Sequence, residues 1–242
     1  MTDYLFFSTV FLLALLYSSV GHGGASGYLA LMAIFSFPPE FMRPTALVLN
    51  ILVSSIALVA FSRNRHLNGK LLLPFVISSV PMAFLGGSIS VDPKLYKIFL
   101  GLFLLAAIAR MIFQPRSHST ENKSINKPLA WGIGALLGFF SGLIGIGGGI
   151  ILSPVIILLK WGSMKQTAAV SAAFILVNSV SGLTGQWSAG ITFAPQMGGM
   201  LIFAVLGGLL GSHLGSIKFP ENMLKYSLVV VLGLASIKLL AF

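Results

Sequence analysis

Cysteine is absent from this chain of 242 residues, and acidic residues are scarce, with 5 Asp and Glu against 15 Lys and Arg. Without cysteine the chain has no disulfide framework and no thiolate metal site. Charged residues make up only 8% of the sequence and hydrophobic residues 56%, for a mean hydropathy of +0.97. A single soluble core cannot bury that much apolar surface, so the composition predicts a membrane protein.

The formal net charge of +10 would suggest a nucleic-acid partner in a soluble protein. Here Lys and Arg fall in short connections between apolar segments, where they set membrane topology, and no basic face with interleaved aromatic residues is present. We therefore expect contact with membrane lipids and no nucleic-acid partner, while the sequence defines no oligomeric state. Asp3 lies where a signal peptide would carry positive charge, so we expect no cleaved signal.

The apolar segments predict an all-α integral membrane protein with eight hydrophobic segments in two repeats, the first segment of each repeat being broken at a glycine cluster. Repeat 1 covers residues 1–113, a cytoplasmic linker covers 114–127 and repeat 2 covers 128–242, and each repeat holds a broken hairpin plus three helices. The segments lie at about 4–37 (broken at 21–27), 45–61, 71–89, 95–113, 129–159 (broken at 145–149), 168–184, 195–216 and 223–242.

The two halves of the chain align in order at a shift of 124 positions, which places Gly21 on Gly145. At the same shift ILVSS, from Ile51, falls on ILVNS, from Ile175. The last segment needs a shift of 128, about one further helical turn. This pattern predicts an internal duplication, which is typical of transporters.

The positive charges distinguish two topologies for the broken segments. If each broken segment crosses the bilayer, Lys and Arg divide 7 against 8 between the two sides; if each enters and returns as a hairpin, they divide 11 against 4. Only the hairpin topology obeys the positive-inside rule. It makes the repeats inverted, and we expect a multi-pass protein of the bacterial cell (inner) membrane with both termini outside. Residues 4–20 are long enough to nearly span the bilayer, so an almost complete crossing stays open as the alternative.

The two glycine clusters mark the candidate site. Lipid cannot hydrogen-bond a backbone, so irregular structure at membrane depth needs protein or a water-filled cavity beside it. A helix that begins after such a break directs its free N–H groups and its positive dipole end into the break, which suits an anion. None of the 5 acidic residues lies within an apolar segment, which argues against a cation pump or exchanger.

The predicted substrate-binding residues are glycine or polar positions at the breaks and on the helix that follows each break. The alternatives are close helix packing for the glycines, interhelical hydrogen bonds for Asn and Ser, and capping of the hairpin tip for the histidine. The glycines at 207, 211 and 215 are assigned to packing alone. No cofactor, metal site or catalytic residue is predicted. The predicted substrate-binding set is Gly21, His22, Gly23, Gly24, Ser26, Asn50, Ser54, Gly145, Gly147, Gly148, Gly149, Ser153, Ser171 and Asn178.

Three stretches carry a family resemblance: GLIGIGGGIILSPVIILL from Gly142, SAAFILVNSVSGLTG from Ser171 and RPTALVLNILVSS from Arg43. With them the chain resembles, over essentially its whole length, the TauE/SafE sulfite exporter family, also called the 4-toluene sulfonate uptake permease family. The resemblance implies a permease for small sulfur-containing anions such as sulfite, sulfonates or sulfoacetate. The first half departs from the family pattern in GHGGASG, with Ala30 in place of a proline. The positions it assigns are Gly145, Gly147, Gly148, Gly149, Pro154, Ser171 and Asn178.

These observations predict a transporter that binds a small anionic substrate and works by alternating access. Export is favoured because it needs no coupling ion when the inside of the cell is negative, and no intramembrane carboxylate is available to carry one. The alternatives are an anion channel or another organic-anion permease. A membrane-embedded enzyme would need a nucleophile with its base, or metal ligands, that converge in one place.

Overall fold

The computed structural model describes residues 2–19, 21–63, 65–112, 123–191 and 197–215, together with residues 236, 237 and 240. That part of the chain forms nine helices and no strand. The eighth predicted segment, residues 223–242, falls almost entirely outside the described residues. The helices are α1 (Thr2–Ser19), α2 (Ala25–Ile34), α3 (Pro39–Arg63), α4 (Gly69–Ser88), α5 (Pro93–Ile112), α6 (Lys127–Ile144), α7 (Gly149–Leu158), α8 (Met164–Ser188) and α9 (Met197–Gly215).

Five of these helices are long and apolar enough to cross a membrane. They are α3, α4 and α6, with residues Lys165–Ser188 of α8 and Met197–Leu214 of α9. Three shorter apolar helices, at Tyr4–Ser19, Ala25–Ile34 and Gly149–Leu158, accompany them. Each of the three shorter helices borders a glycine cluster; the fourth helix that does so, α6, is one of the five long ones.

Polar side chains fix where three of the long helices begin. The Asn68 side chain accepts from Leu71 N–H at the start of α4, and Asn126 accepts from Leu129 N–H at the start of α6. Ser163 and Gln166 form a reciprocal capping box at the start of α8. Each such cap contributes about 1 kcal/mol by satisfying an N–H that has no intrahelical acceptor.

The chain turns back at each glycine cluster. The ring of Phe6, in α1, lies 5.0 Å from the ring of Phe35, which directly follows α2, so α2 returns along α1. In the second half, Lys123 N–H donates to the Lys160 carbonyl at 2.6 Å, which places the residues before α6 beside the residues after α7. Each interrupted segment is therefore a helical hairpin in this structure.

Glycines bring pairs of helices into close contact. A Cβ at Gly142 of α6 would lie 2.7 Å from the backbone nitrogen of Gly87 of α4, and one at Gly207 of α9 would lie 2.9 Å from Cβ of Ala14 of α1. Gly211 packs on α1 in the same way, against Leu15. The assignment of Gly207 and Gly211 to helix packing is thus confirmed, while the side-chain environment at position 215 is not among those described.

Helices α3 and α8 run antiparallel through the centre. The end of α3 at Phe61 packs against Ala169 near the start of α8, and Asn50 contacts Ser179 farther along. One end of the molecule therefore collects the start of α3 with the ends of α4 and α8. The opposite end carries most of the described basic side chains, which are Arg63, Arg65, Lys70, Lys123, Lys127, Lys160 and Lys165.

Candidate functional site

The side chain of Asn50, on α3, bonds to both glycine-broken hairpins. Its Oδ1 accepts from the Ala25 N–H at 3.0 Å, at the first residue of α2. Its Nδ2 donates to the Ile146 carbonyl at 3.1 Å, inside the second break, and to Ser179 Oγ at 3.4 Å. Asn50 is completely buried, so a single amide connects the two hairpins in the interior.

Two predicted glycines fit only because they have no side chain. A Cβ at Gly23 would overlap Oδ1 of Asn50, and a Cβ at Gly147 would overlap its Nδ2. Both added carbons would also lie 3.0 Å from Cγ2 of Ile175 on α8. The middle of each break therefore lies against the same two side chains, one from each half of the chain.

Backbone conformation explains why the breaks occur where they do. Gly145 ends α6 at φ +89°, and Gly148 precedes α7 at φ +73°; Gly21 and Gly24 have φ of +78° and +93° at the corresponding places. This left-handed region is open to glycine and costs other residues about 1–2 kcal/mol. As a result, α2 and α7 both begin beside Asn50. Their first N–H groups have no acceptor within their own helices.

Side chains from three other helices satisfy the buried end of α6. Gln186 Nε2, on α8, donates to the Gly142 carbonyl at 3.3 Å, and Tyr96 Oη, on α5, donates to the Ile144 carbonyl at 3.0 Å. Asn50, on α3, supplies the third donor, to the Ile146 carbonyl just beyond the end of α6. These bonds matter because a helix end inside an apolar medium leaves carbonyls that water cannot reach.

His22 links the first break to the second hairpin. Its Nε2 lies 3.0 Å from Ser153 Oγ on α7, and that hydroxyl lies 2.7 Å from Ser171 Oγ on α8. Ser153 also donates to the Gly149 carbonyl at 3.2 Å. The structure therefore brings together polar residues that the sequence placed in different halves.

The remaining predicted residues do not join this network. Ser26 bonds to Tyr17 Oη within the first hairpin, at 2.8 Å. Asn178 Nδ2 donates to the Phe174 carbonyl of its own helix at 2.8 Å, and its Oδ1 has no partner among the described residues. Ser54 Oγ is likewise buried without a described partner. Such buried unpaired atoms each cost about 1–3 kcal/mol, so their retention is compatible with a polar guest.

Sequence reasoning missed three of the residues that hold the hairpins. Gln186 and Tyr96 bond the end of α6, and Ser179 accepts from Asn50. The position of Gln186 near the end of an apolar segment is a signal that could have identified it. Tyr96 offers no such signal, because a tyrosine at the start of a membrane helix is typical of interfacial anchoring.

The site presents amides, hydroxyls and helix N-termini. Within the described ranges no group of three His, Asp or Glu side chains could hold a metal ion. All residues from Gly21 to Ala33 and from Ser141 to Ile150 are buried. The helix N-termini beside the breaks favour negative charge, and in this conformation they are enclosed and the Ala25 N–H is paired with Asn50.

Apolar helices of membrane-spanning length and two buried, glycine-broken hairpins define a multi-pass helical membrane protein. The chain belongs to the TauE/SafE family: the family model described as "Sulfite exporter TauE/SafE" matches residues 6–239. The resemblance drawn from the sequence is thereby confirmed.

Relatives from different organisms are named as membrane transporters. The probable membrane transporter protein y4hK of Sinorhizobium fredii is 38% identical over 237 residues, covering 95% of each chain. The probable membrane transporter protein YjnA of Bacillus subtilis is 25% identical over 243 residues, covering 91% of this chain and 92% of the relative. The comparison with solved structures found no match. These names support a membrane transporter, in agreement with the sequence prediction at that level.

Proposed function

We propose that this protein is a secondary transporter or facilitator that exports a small sulfur-containing anion, such as sulfite, a sulfonate or sulfoacetate. The observation that carries the proposal is the meeting of both glycine-broken hairpins at the buried amide of Asn50. Paired interruptions at one midplane site are how many secondary transporters bind their substrates.

The hairpins would be re-entrant elements of inverted repeats. The return of α2 along α1, and of α7 to the residues before α6, supports this arrangement. The basic residues at the end where α4, α6 and α8 begin would face the cytoplasm by the positive-inside rule, and in the proposed topology both termini would then lie outside. The proposed repeats are 1–113 and 128–242, joined by the cytoplasmic linker 114–127.

The donors around the site favour an anionic substrate. Substrate oxygen atoms would accept from backbone N–H groups at Gly23, Gly24, Gly147 and Gly148, with hydroxyls from Ser153 and Ser171 nearby. Export needs no coupling ion, because each negative charge that leaves a cell at about 100 mV, inside negative, gains about 2.3 kcal/mol.

Alternating access would proceed by movement of one hairpin against the other. The tips are buried in this conformation, so the substrate can reach them only after part of the packing opens. The bonds from Asn50 to Ala25 and Ile146 span the two hairpins, and opening must break at least one of them. A substrate oxygen that replaces the lost partner would lower the cost of that step.

Counterflow in proteoliposomes tests the proposal. Purified protein is reconstituted, and exchange of labelled sulfite is measured against unlabelled sulfite, thiosulfate, sulfoacetate, taurine and lactate. We expect saturable counterflow with sulfite or a sulfonate as the best competitor, and net efflux that follows membrane potential without a pH gradient. Flux that does not saturate would favour an anion channel over a carrier. Chemical conversion of a substrate would favour a membrane-embedded enzyme. Accumulation driven by a pH gradient and abolished by His22→Ala would overturn uncoupled export.

A further inference from the structure

A cavity of about 330 Å³ opens at the end of the molecule where α3 begins and α4 and α8 end. Polar groups from all three of these places line it, including Arg43, Ser90 and Gln186, with Glu40 one helical turn before Arg43. It lies apart from the buried residues around Asn50 and is large enough for a small organic anion. Its position is that of an access cavity on the side opposite the basic end.

Arg43 is a half-buried cation inside a helix long enough to cross the membrane. Its Nη2 donates to the Ile89 carbonyl at 3.2 Å. Among the described residues, its buried Nε has no hydrogen-bond partner and no carboxylate forms an ion pair with it. A guanidinium has five N–H donors, so most of its capacity is unused. A half-buried guanidinium with free donors, at the wall of a cavity near the membrane surface, is available to an anion that enters the cavity.

Two of the residues that line the cavity, Gln186 and Arg43, also contact the end of the second hairpin's first helix, α6. Gln186 donates from the cavity wall to the Gly142 carbonyl, and its own Oε1 is buried without a described partner. A Cβ at Gly145 would lie 3.0 Å from the Arg43 carbonyl oxygen. A guest held by the Arg43 side chain would therefore lie one residue layer from the hairpin whose movement would open the central site, with Arg43 and Gln186 between them.

We infer that this cavity is an outer binding subsite for a small oxyanion, in which the Arg43 guanidinium pairs with two oxygen atoms of the same group. The fork geometry of arginine matches a sulfonate, sulfite or carboxylate and gives a halide no second contact. The negative charge of Glu40 opposes binding of an anion. Arg43 and Glu40 together therefore set an affinity for the anion that is low enough for release. The inference rests on the proposed anion transport and adds the residue that selects the anion on this side.

Two measurements test the subsite independently. The first uses the cysteine-free chain: Ser90→Cys is labelled with a membrane-impermeant maleimide in purified protein, with and without methanesulfonate, which does not react with the reagent. We expect methanesulfonate to slow labelling, and Arg43→Gln to abolish that protection. Leu67→Cys, at the opposite end, is the control and should not be protected. If Ser90→Cys protein that retains Arg43 is labelled at the same rate with and without methanesulfonate, the subsite is refuted.

The second measurement is the half-saturation concentration for counterflow on the cavity side. Arg43→Gln should raise it about tenfold, the equivalent of about 1.4 kcal/mol of binding, with little change in the maximal rate. Arg43→Lys should recover part of the loss because the charge remains without the fork, and Glu40→Gln should lower the value below wild type. An unchanged half-saturation concentration in folded Arg43→Gln contradicts the subsite. Protection of Ser90→Cys without any transport would keep the subsite and refute the transport proposal.

Discussion

At the scale of single residues, Asn50 is suited to its position because its amide carries an acceptor and a donor on adjacent atoms. The acceptor meets an N–H of the first hairpin and the donor meets a carbonyl of the second. Aspartate would lack the donor, and leucine would leave both backbone groups buried and unpaired. Neither substitution preserves the connection between the two breaks.

Gly147→Ala tests the close approach to that amide. We expect a loss of stability of about 1–2 kcal/mol from the positive φ alone, with more from overlap with Asn50, and a loss of counterflow. The measurements are the melting temperature in detergent and counterflow per amount of folded protein. Gly132→Ala is the matched control, because an added Cβ there meets nothing within 4 Å; it should leave counterflow unchanged and should not lower the melting temperature, since alanine favours the helix. If folded Gly147→Ala showed the counterflow of the wild type, the claim that only glycine is tolerated at position 147 would be wrong.

The positions of the breaks were predictable from the sequence, but their partners were not. A glycine cluster inside an apolar segment is a local signal, and its repetition 124 positions later strengthens it. Asn50 and Asn178 looked alike in sequence, yet Asn50 bonds residues far along the chain while Asn178 bonds the helix turn before it. To choose between Asn50 and Asn178, one must know which face of each helix is turned toward the hairpin tips. Apolar periodicity carries little of that information in lipid-exposed helices.

At the scale of elements, the hairpins are held by helix pairs whose glycines permit backbone contact. Helix α6 lies along α4 through Gly138 and Gly142, and α1 lies along α9 through Gly207 and Gly211. Lipid tails are as apolar as leucine, so close packing and weak Cα–H contacts replace the hydrophobic effect as the association force. The longer helix of each hairpin, α1 or α6, is thereby fixed. The shorter helix, α2 or α7, has no comparable row of glycine contacts with a neighbouring helix among the described residues.

Gly142→Val tests the α4–α6 contact. The added Cβ alone would overlap the Ala83 carbonyl oxygen and crowd the Gly87 nitrogen, so we expect a loss of about 1–3 kcal/mol or failure to fold. The check is the fraction of monodisperse protein and its melting temperature in detergent. Gly132→Val lies on the same helix in open space and controls for helix propensity. Equal melting temperatures for the two variants would mean that this contact does not hold the hairpin.

Element limits were predictable to within about two turns of helix. The segment expected at about 45–61 is α3 at Pro39–Arg63, which extends beyond the apolar run at both ends. The extension occurs because polar residues such as Glu40 and Arg43 remain helical near the membrane surface, where hydropathy no longer reports the backbone conformation.

At the scale of the whole molecule, the proposed inverted topology can be tested with single cysteines in the cysteine-free chain. Leu67 and Ser188 are exposed at opposite ends, beside the start of α4 and at the end of α8. We expect an impermeant maleimide to label Ser188→Cys in intact cells and Leu67→Cys only after permeabilisation. The reverse pattern would invert the proposed orientation, and labelling of both from outside would reject the membrane arrangement.

The central claim is that a small anion passes through the place where Asn50 joins the two hairpins. Its most direct test is sulfite counterflow in proteoliposomes for wild type, Asn50→Asp and Gly132→Ala, each normalised to folded protein. The proposed function predicts saturable counterflow for wild type and Gly132→Ala and its loss in Asn50→Asp, which removes the donor to the Ile146 carbonyl and places a negative charge beside the anion. Wild-type rates in folded Asn50→Asp, or no movement of sulfite or any sulfonate by folded wild type, would contradict it.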